Sequence, residues 1–580
     1  MKKNKNASIK TNNLQQKWNN KLLLVALFII PLFIYFKSLN NEFTEWDDDK
    51  YITQNLDIRT LHGDSINYTL KKIFTSYVLG NYHPVTMLSY SIEYAKHKLN
   101  PKPYHITNLI IHILNTLLVF YFIWLLTKQR WTAFITALLF SIHPMHVESV
   151  AWVAERKDVL YTFFSLISLC CYIHYHNSQN KKQLYYLIAL LTFIIAVLSK
   201  AMAVCVPLLF MLIDYFEGRK ITSKSILEKL PFLLISIVFG IIAILAQKSS
   251  NSIEDISNYN FFDRILFSSY GILMYLWKLF IPSNLSCFYN YPIKQNGFYP
   301  SIFYIAPFVI AVLFFSVYKF FKTEKDIIFG LGFFMFSIVL VLQILPVGAA
   351  VIADRYTYIP YIGIFFIIAR FMNNCIENKI VPLQSYRIFI IIAFLITTLI
   401  YSYGTFQRTK VWENTITLFT DAIKKYDKAP GSYNARGGAY FHTGQYERAI
   451  ADYSRYIFLK NDNAIVYYNR GLAYLQLKKY AEAIADFTTA IKYNPHYADA
   501  FFNRGVVYND MGNFKESITN NTFAIQFNPS YSKAYYNRAG AHFMLHQYNL
   551  ALIDALKAKQ LGFYVDPKFI EAIQTGTKAH

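Results

Sequence analysis

The sequence predicts an all-α protein: a polytopic helical bundle in a membrane, followed by an α-solenoid. Three observations predict it. The 580 residues are 54% hydrophobic and 18% aromatic but only 16% charged, and their mean hydropathy is +0.24, a balance suited to a chain that faces lipid. Apolar runs recur from Leu22 onward, separated by short loops rich in Lys and Arg. In the C-terminal third, Arg436, Arg470, Arg504 and Arg538 stand 34 residues apart.

The N-terminus, residues 1–21, is polar and basic, with Lys2, Lys3, Lys5, Lys10, Lys17 and Lys21, and reads as a cytoplasmic tail. The run Leu22–Phe36 has no small-residue cleavage site before Lys37, so it reads as a retained anchor. The loop 37–104 is then extracytoplasmic and contains an amphipathic stretch, His83–His97. Further spans are expected at 105–127, 131–143, 158–175, 183–198, 201–216, 229–247, 301–320, 326–345, 354–372 and 385–404. With the anchor, that makes about eleven. Connections holding Lys128/Arg130, Lys181/Lys182, Arg219/Lys220/Lys224 and Lys319/Lys322/Lys325 then all fall on the cytoplasmic side. Phe261–Pro282 is apolar but contains Asp263, Arg264 and Lys278, and reads as interfacial or re-entrant. The membrane part is thus 22–404, in a multi-pass protein.

The net charge of +22 does not point to nucleic acid, because many of the cations lie in short loops between apolar runs, where they set topology. Five Cys, at 170, 171, 205, 287 and 375, lack metal-ligand spacing and read as small buried residues.

Residues 405–580 keep a 34-residue period in Tyr446, Tyr480, Phe514 and Tyr548, and again in Ala449, Ala483, Ser517 and Ala551. This is the tetratricopeptide period. It predicts a half-repeat at 411–429, repeats at 430–463, 464–497, 498–531 and 532–565, and a capping helix at 567–577. Each repeat Arg is followed sixteen residues later by Asp452, Asp486, Asn520 or Asp554. Either these arginines form a ladder for an acidic ligand, or they pair with those acids between helices. An acidic partner already present in the chain favours the second.

Four polar groups fall at the outer ends of spans: Asp47–Asp49; His143 to Glu148, continuing through Glu155-Arg156-Lys157-Asp158; Ser199-Lys200; and Asp354-Arg355 to Pro360. Ionisable residues near a bilayer are costly and tend to line cavities. Carboxylates beside Arg, Lys and His suit a reaction that needs a base and a phosphate holder. Taken alone, the three Asp are a general base, a metal site or a solvated loop. His143 and His146 equally cap a helix, and no third and fourth zinc ligand is evident.

These residues resemble the transmembrane and tetratricopeptide-repeat O-mannosyltransferase family, of the GT-C glycosyltransferase superfamily. The resemblance is carried by Trp46-Asp47-Asp48 with Ile52 and Asn55, by His83-Pro84-Val85-Thr86 through His112-Ile113-Leu114-Asn115, by Ala137 through Val150, and by Asp354-Arg355-Tyr356-Thr357-Tyr358-Ile359-Pro360. Where the family has Lys-Glu, this chain has Lys200-Ala201, and where it more often has Glu-Arg, this chain has Asp354-Arg355.

The resemblance implies an inverting GT-C enzyme that moves a sugar, mannose in the animal members, from a polyprenyl-phosphate donor to a protein Ser or Thr hydroxyl outside the cytoplasm. It needs no cofactor, and a divalent metal is compatible but not required. Asp48, then Asp47, is expected as the base, with Glu148 orienting the acceptor. Arg156, Lys200 and Arg355 are expected on the phosphate, with His143, His146, Asp354 and Tyr358 completing substrate binding. The repeats would present a polypeptide acceptor. The competing expectation is a non-catalytic membrane scaffold whose repeats recruit partners.

Overall fold

The computed structural model describes residues 21–61, 66–250, 259–344, 350–377 and 385–579. The basic tail at 1–20 lies outside them. Two compact units result, Met1–Leu418 and Phe419–His580, both built of helices. The first unit adds one short antiparallel ladder, Tyr289–Asn290 against Ala350–Ile352.

Local chemistry sets the helix ends of the first unit. Pro101–Thr127 starts on two prolines, with Asn100 as N-cap accepting from Lys102 N–H at 3.2 Å, and stops at Lys128, which turns left-handed. Arg130–Ile142 ends at His143 because the residue before Pro144 is driven to an extended conformation. The chain bends by 56° there into Pro144–Ala151. Arg156–Asn177 then runs out, and Lys182–Ser199 returns to Lys200. Helices Lys325–Ile338 and Tyr361–Ile376 approach closely through Gly330 and Gly363. A Cβ on Gly330 would stand 2.5 Å from the Gly363 carbonyl, so only glycine fits.

Six helices among the described residues are long and apolar enough to cross a membrane, or up to seven if the bent pair counts as one span. The expected eleven is therefore not reached. Lys21–Ile34, Ala201–Phe216 and Tyr361–Ile376 are apolar but short. The span expected at 354–372 begins only at Tyr361, since Asp354–Thr357 forms a separate tight turn before Pro360. The last membrane helix runs to Val411 rather than 404. Trp412 belongs to this unit rather than to the repeats, for it is fully buried against Trp152 at 5.3 Å.

Phe261–Phe280 is one helix of 20 residues, capped by Asn260, which accepts from Asp263 N–H at 2.8 Å. Its charges are met locally: Asp263 pairs with Lys294 at 3.3 Å, and Lys278 donates to Ser283 O at 2.9 Å. Ser268 donates to Leu342 O, Tyr275 OH accepts from Ala353 N–H at 3.2 Å, and Leu279 O accepts from His143 at 3.0 Å. Those partners lie in three separate segments, and the helix also packs along Ser301–Phe321, with Tyr270 stacked on Phe303 at 4.1 Å.

The second unit is the solenoid. Its helix pairs are Pro430–His442 with Tyr446–Leu459, Ala464–Gln476 with Tyr480–Tyr493, Ala498–Asp510 with Phe514–Phe527, and Ser532–Met544 with Tyr548–Gln560, and Pro567–Ala579 follows. Within the second pair Ala483, Phe487 and Ala490 are fully buried, and Gly471 makes room for the Phe487 ring. The arginines are internal. Arg436, Arg470 and Arg538 each grip their Asp with two hydrogen bonds of 2.7–2.8 Å, while Arg504 makes one, of 2.8 Å, to Asn520. Each also reaches back to a hydroxyl of the preceding pair, such as Ser454 for Arg470 and Thr488 for Arg504, at 2.9 Å. Desolvation opposes the Arg470 charge, but the hydrogen bond and charge of Asp486 lift its pKa above the ordinary value; Arg504, desolvated beside neutral Asn520, is lowered. Arg470→Ala strands a buried carboxylate and is expected to cost about 3 kcal/mol. Arg504→Ala strands only an amide and is expected to cost about 1 kcal/mol. Thermal unfolding of the two variants checks this, and equal losses would count against the pairing.

Candidate active site

The loop that follows Lys21–Ile34 is placed by bonds to the far end of the same unit. Glu42 N–H donates to Glu413 O and Glu45 N–H to Thr415 Oγ1, both at 2.8 Å. This sets the turn that follows, Trp46 to Tyr51, at the mouth of a cavity of about 420 Å³. Asp47, Glu155, Lys157, Lys200 and Arg355 are its charged lining, and Trp46, Tyr51, Phe288 and Tyr356 its aromatic lining. Helix Lys182–Ser199 delivers Lys200 at one end and carries Lys182 at the other, so the cavity opens at the end of the bundle opposite that basic loop.

The charges form one network. Arg355 pairs with Glu148 through Nη1 and with Glu155 through Nε at 3.2 Å, and Glu148 also accepts the Arg355 backbone N–H at 3.0 Å. Lys157 lies 3.1 Å from Glu155, and Lys200 lies 3.4 Å from Glu155 and bonds to Asp158. Lys200 thus takes its acidic partners from the turn and helix start at 155–158. Among the described residues, no three His, Cys, Asp or Glu side chains converge in a way that could hold a metal ion.

The two favoured aspartates separate. Asp48 is 1% exposed and turned away from the cavity; its carboxylate accepts from Thr44 N–H at 2.8 Å, Thr44 Oγ1 at 3.1 Å and Ala154 N–H at 2.8 Å. It ties this loop to the 153–155 turn. Burial pushes its pKa up to about 7, although the hydrogen bonds from Thr44 and Ala154 work the other way. Asp47 faces the cavity. Burial pushes it up to about 6, with Lys157 and Arg355 pulling it back down.

Of the other predicted residues, Lys200 and Arg355 line the cavity and the rest do not. Glu148 is buried beneath Arg355, and Asp354 accepts from Tyr289 OH at 2.6 Å. His143 caps its turn, accepting from Met145 N–H while donating to Leu279 O; His146 donates to Phe140 O at 2.8 Å. Tyr358 is fully buried, hydrogen-bonded to His112 Nδ1 at 2.6 Å. Arg156 is fully buried too, and faces Glu93, Asn108, the Tyr104 carbonyl and the Tyr90 ring instead of the cavity. Its neighbours Glu155 and Lys157 are the ones that line the wall. All stand in one charged run, and only the direction of each side chain at the helix start separates them.

Comparison with known proteins agrees with this architecture. Residues 21–244 match the family described as dolichyl-phosphate-mannose-protein mannosyltransferase, and residues 437–478 and 464–497 match tetratricopeptide repeat families. Protein O-mannosyl-transferase F38B6.6 of Caenorhabditis elegans is 29% identical over 295 residues, which is 48% of this chain and 40% of that protein. Protein O-mannosyl-transferase TMTC3 of Homo sapiens is 24% identical over 409 residues, 64% of this chain and 44% of that protein. The chain therefore spans less than half the length of these relatives. Among solved structures, the crystal structure of MamA overlaps with a TM-score of 0.24 at 21% identity, over 31% of this chain and 92% of that one. Residues 21–244 thus resemble a mannosyltransferase family, residues 437–497 are tetratricopeptide repeats, and the relatives that this chain resembles are named protein O-mannosyl-transferases.

Proposed function

We propose that the protein transfers a sugar, with mannose the first candidate, from a polyprenyl-phosphate donor to a protein Ser or Thr hydroxyl on the extracytoplasmic side. The observation that carries this reading is the pairing, in one cavity, of the Asp47 carboxylate with the cations of Lys157, Lys200 and Arg355. Asp47 takes the proton of the acceptor hydroxyl. The hydroxyl oxygen forms its bond to the anomeric carbon as the bond from that carbon to the phosphate oxygen breaks. The electron pair leaves with the lipid phosphate, where the cations neutralise it, and the configuration inverts. Asp48 and Glu148 act one step back, the first by fixing the loop that holds Asp47 and the second by anchoring Arg355.

Two features support the sidedness. The cavity lies at the bundle end opposite the loop of Lys181 and Lys182, and positive loops favour the cytoplasm. The repeats would bind the polypeptide acceptor or a partner that brings it. Membranes holding the full chain, supplied with labelled polyprenyl-phosphate mannose and its glucose and galactose counterparts, are expected to label protein through Ser or Thr with one of them. No transfer from any donor would leave the scaffold reading ahead.

A further inference from the structure

The three cations on the cavity wall share one carboxylate. Glu155 is 1% exposed and lies 3.1 Å from Lys157 Nζ, 3.4 Å from Lys200 Nζ and 3.2 Å from Arg355 Nε. Two of the three do not depend on it for their placement. Arg355 has Glu148, which binds both its guanidinium and its backbone N–H. Lys200 has Asp158, itself held by the Ser149 hydroxyl at 3.2 Å. Lys157 rests over the Tyr51 ring at 4.8 Å. Removing the Glu155 charge would leave Arg355 and Lys200 anchored by Glu148 and Asp158, with one negative charge fewer among the three cations. A carboxylate amid three cations occupies the place that phosphate oxygens would take.

We propose that Glu155 is an internal anion that competes with the lipid phosphate for Lys157, Lys200 and Arg355, and so sets how readily the phosphate product leaves. This rests on the lipid-phosphate reading of the cavity. The donor is a phosphodiester with one negative charge; the departing lipid phosphate is a monoester with up to about two. Three cations relieved of their shared carboxylate would hold that product more tightly than the donor. Glu155 offers them an alternative partner as the product departs, which lowers the affinity of the site and raises its turnover. It is a positioning residue, acting through the cations and not on the sugar.

The test uses the full chain in nanodiscs and farnesyl phosphate, an isoprenyl monophosphate, as the probe. Glu155→Gln is expected to bind it about tenfold more tightly. In transfer assays KM and kcat are expected to fall together, leaving kcat/KM little changed. An unchanged or weaker affinity, or a raised KM, overturns the proposal, since the loss of a merely structural residue gives that pattern. If Glu155→Gln does not fold, Glu155→Asp carries the test. Its shorter arm cannot span three cations, so tightening of about threefold is expected, and none overturns the proposal. Arg355→Ala separates the two ideas. If it weakens farnesyl phosphate binding while Glu155→Gln changes nothing, only the role of Glu155 falls. If wild type and Arg355→Ala bind the probe alike, the lipid-phosphate reading falls as well.

Discussion

Replacing Asp47 with Asn is expected to lower kcat by about a thousandfold, the scale on which a general base acts. The protein should fold as before, because Asp47 lines the cavity rather than holding two segments together. Sign and pH range follow from its environment. Burial raises its pKa to about 6, so the carboxylate form that can accept a proton accumulates as the pH rises through 6. The wild-type rate is expected to climb over that interval and then level, and Asp47→Asn is expected to lose the limb. The stability linkage has the opposite sense. A carboxyl whose folded pKa is raised contributes stability below its ordinary range and loses it as the pH rises through 6. Above pH 6, therefore, Asp47→Asn should be no less stable than wild type. Asp48→Asn should behave differently. An amide has one acceptor oxygen where the carboxylate serves Thr44 and Ala154 with two, so a buried N–H loses its partner at about 1–3 kcal/mol. Single-turnover rates and thermal unfolding of both variants check the assignment. An inactive but stable Asp48→Asn beside an active Asp47→Asn would transfer the role of base to Asp48.

Arg355→Ala is expected to damage both stability and chemistry. Glu148 is 2% exposed and would keep only the backbone N–H at 355 as a partner. A buried charge stripped of its counter-ion costs about 3–5 kcal/mol. Per folded molecule, turnover is expected to fall by about a hundredfold or more, since the proposed reaction loses a fixed donor to its developing phosphate charge. Arg355→Lys should recover part of the stability and little of the rate, because an ammonium cannot bridge Glu148 and Glu155 as a planar guanidinium does. Thermal unfolding together with rates normalised to folded protein separates the two effects. Normal turnover in the folded fraction would make Arg355 a structural residue alone.

Much of the fold was legible in the residue pattern because its signals are periodic. The 34-residue spacing fixes where each repeat helix begins, and Phe487 packs on Gly471 because that spacing sets them opposite each other. The sixteen-residue offset from Arg to Asp announced the pairing that the solenoid makes. Helix Phe261–Phe280 carries Asp263 and Lys278 near its two ends, and each is met by a partner close in sequence or space. Span counting was less secure. An apolar run such as 354–372 does not reveal that its first residues form a tight turn with its own tertiary partners.

The sequence by itself determined the membrane bundle, the repeats and the short runs from which the site is drawn: Asp47–Asp49, Glu148 to Asp158, Lys200, and Asp354-Arg355. Only the tertiary structure decided which member of each run faces the cavity. Successive residues around a helix start point about 100° apart, so Arg156 turns to Glu93 and Asn108 while its neighbours Glu155 and Lys157 line the wall. Asp48 is withdrawn by Ala154, more than a hundred residues away in sequence, and Asp47 is left facing Lys157 and Arg355. Local patterns carry composition and period. The direction of a side chain depends on partners supplied by distant segments, and those partners exist only once the chain has folded.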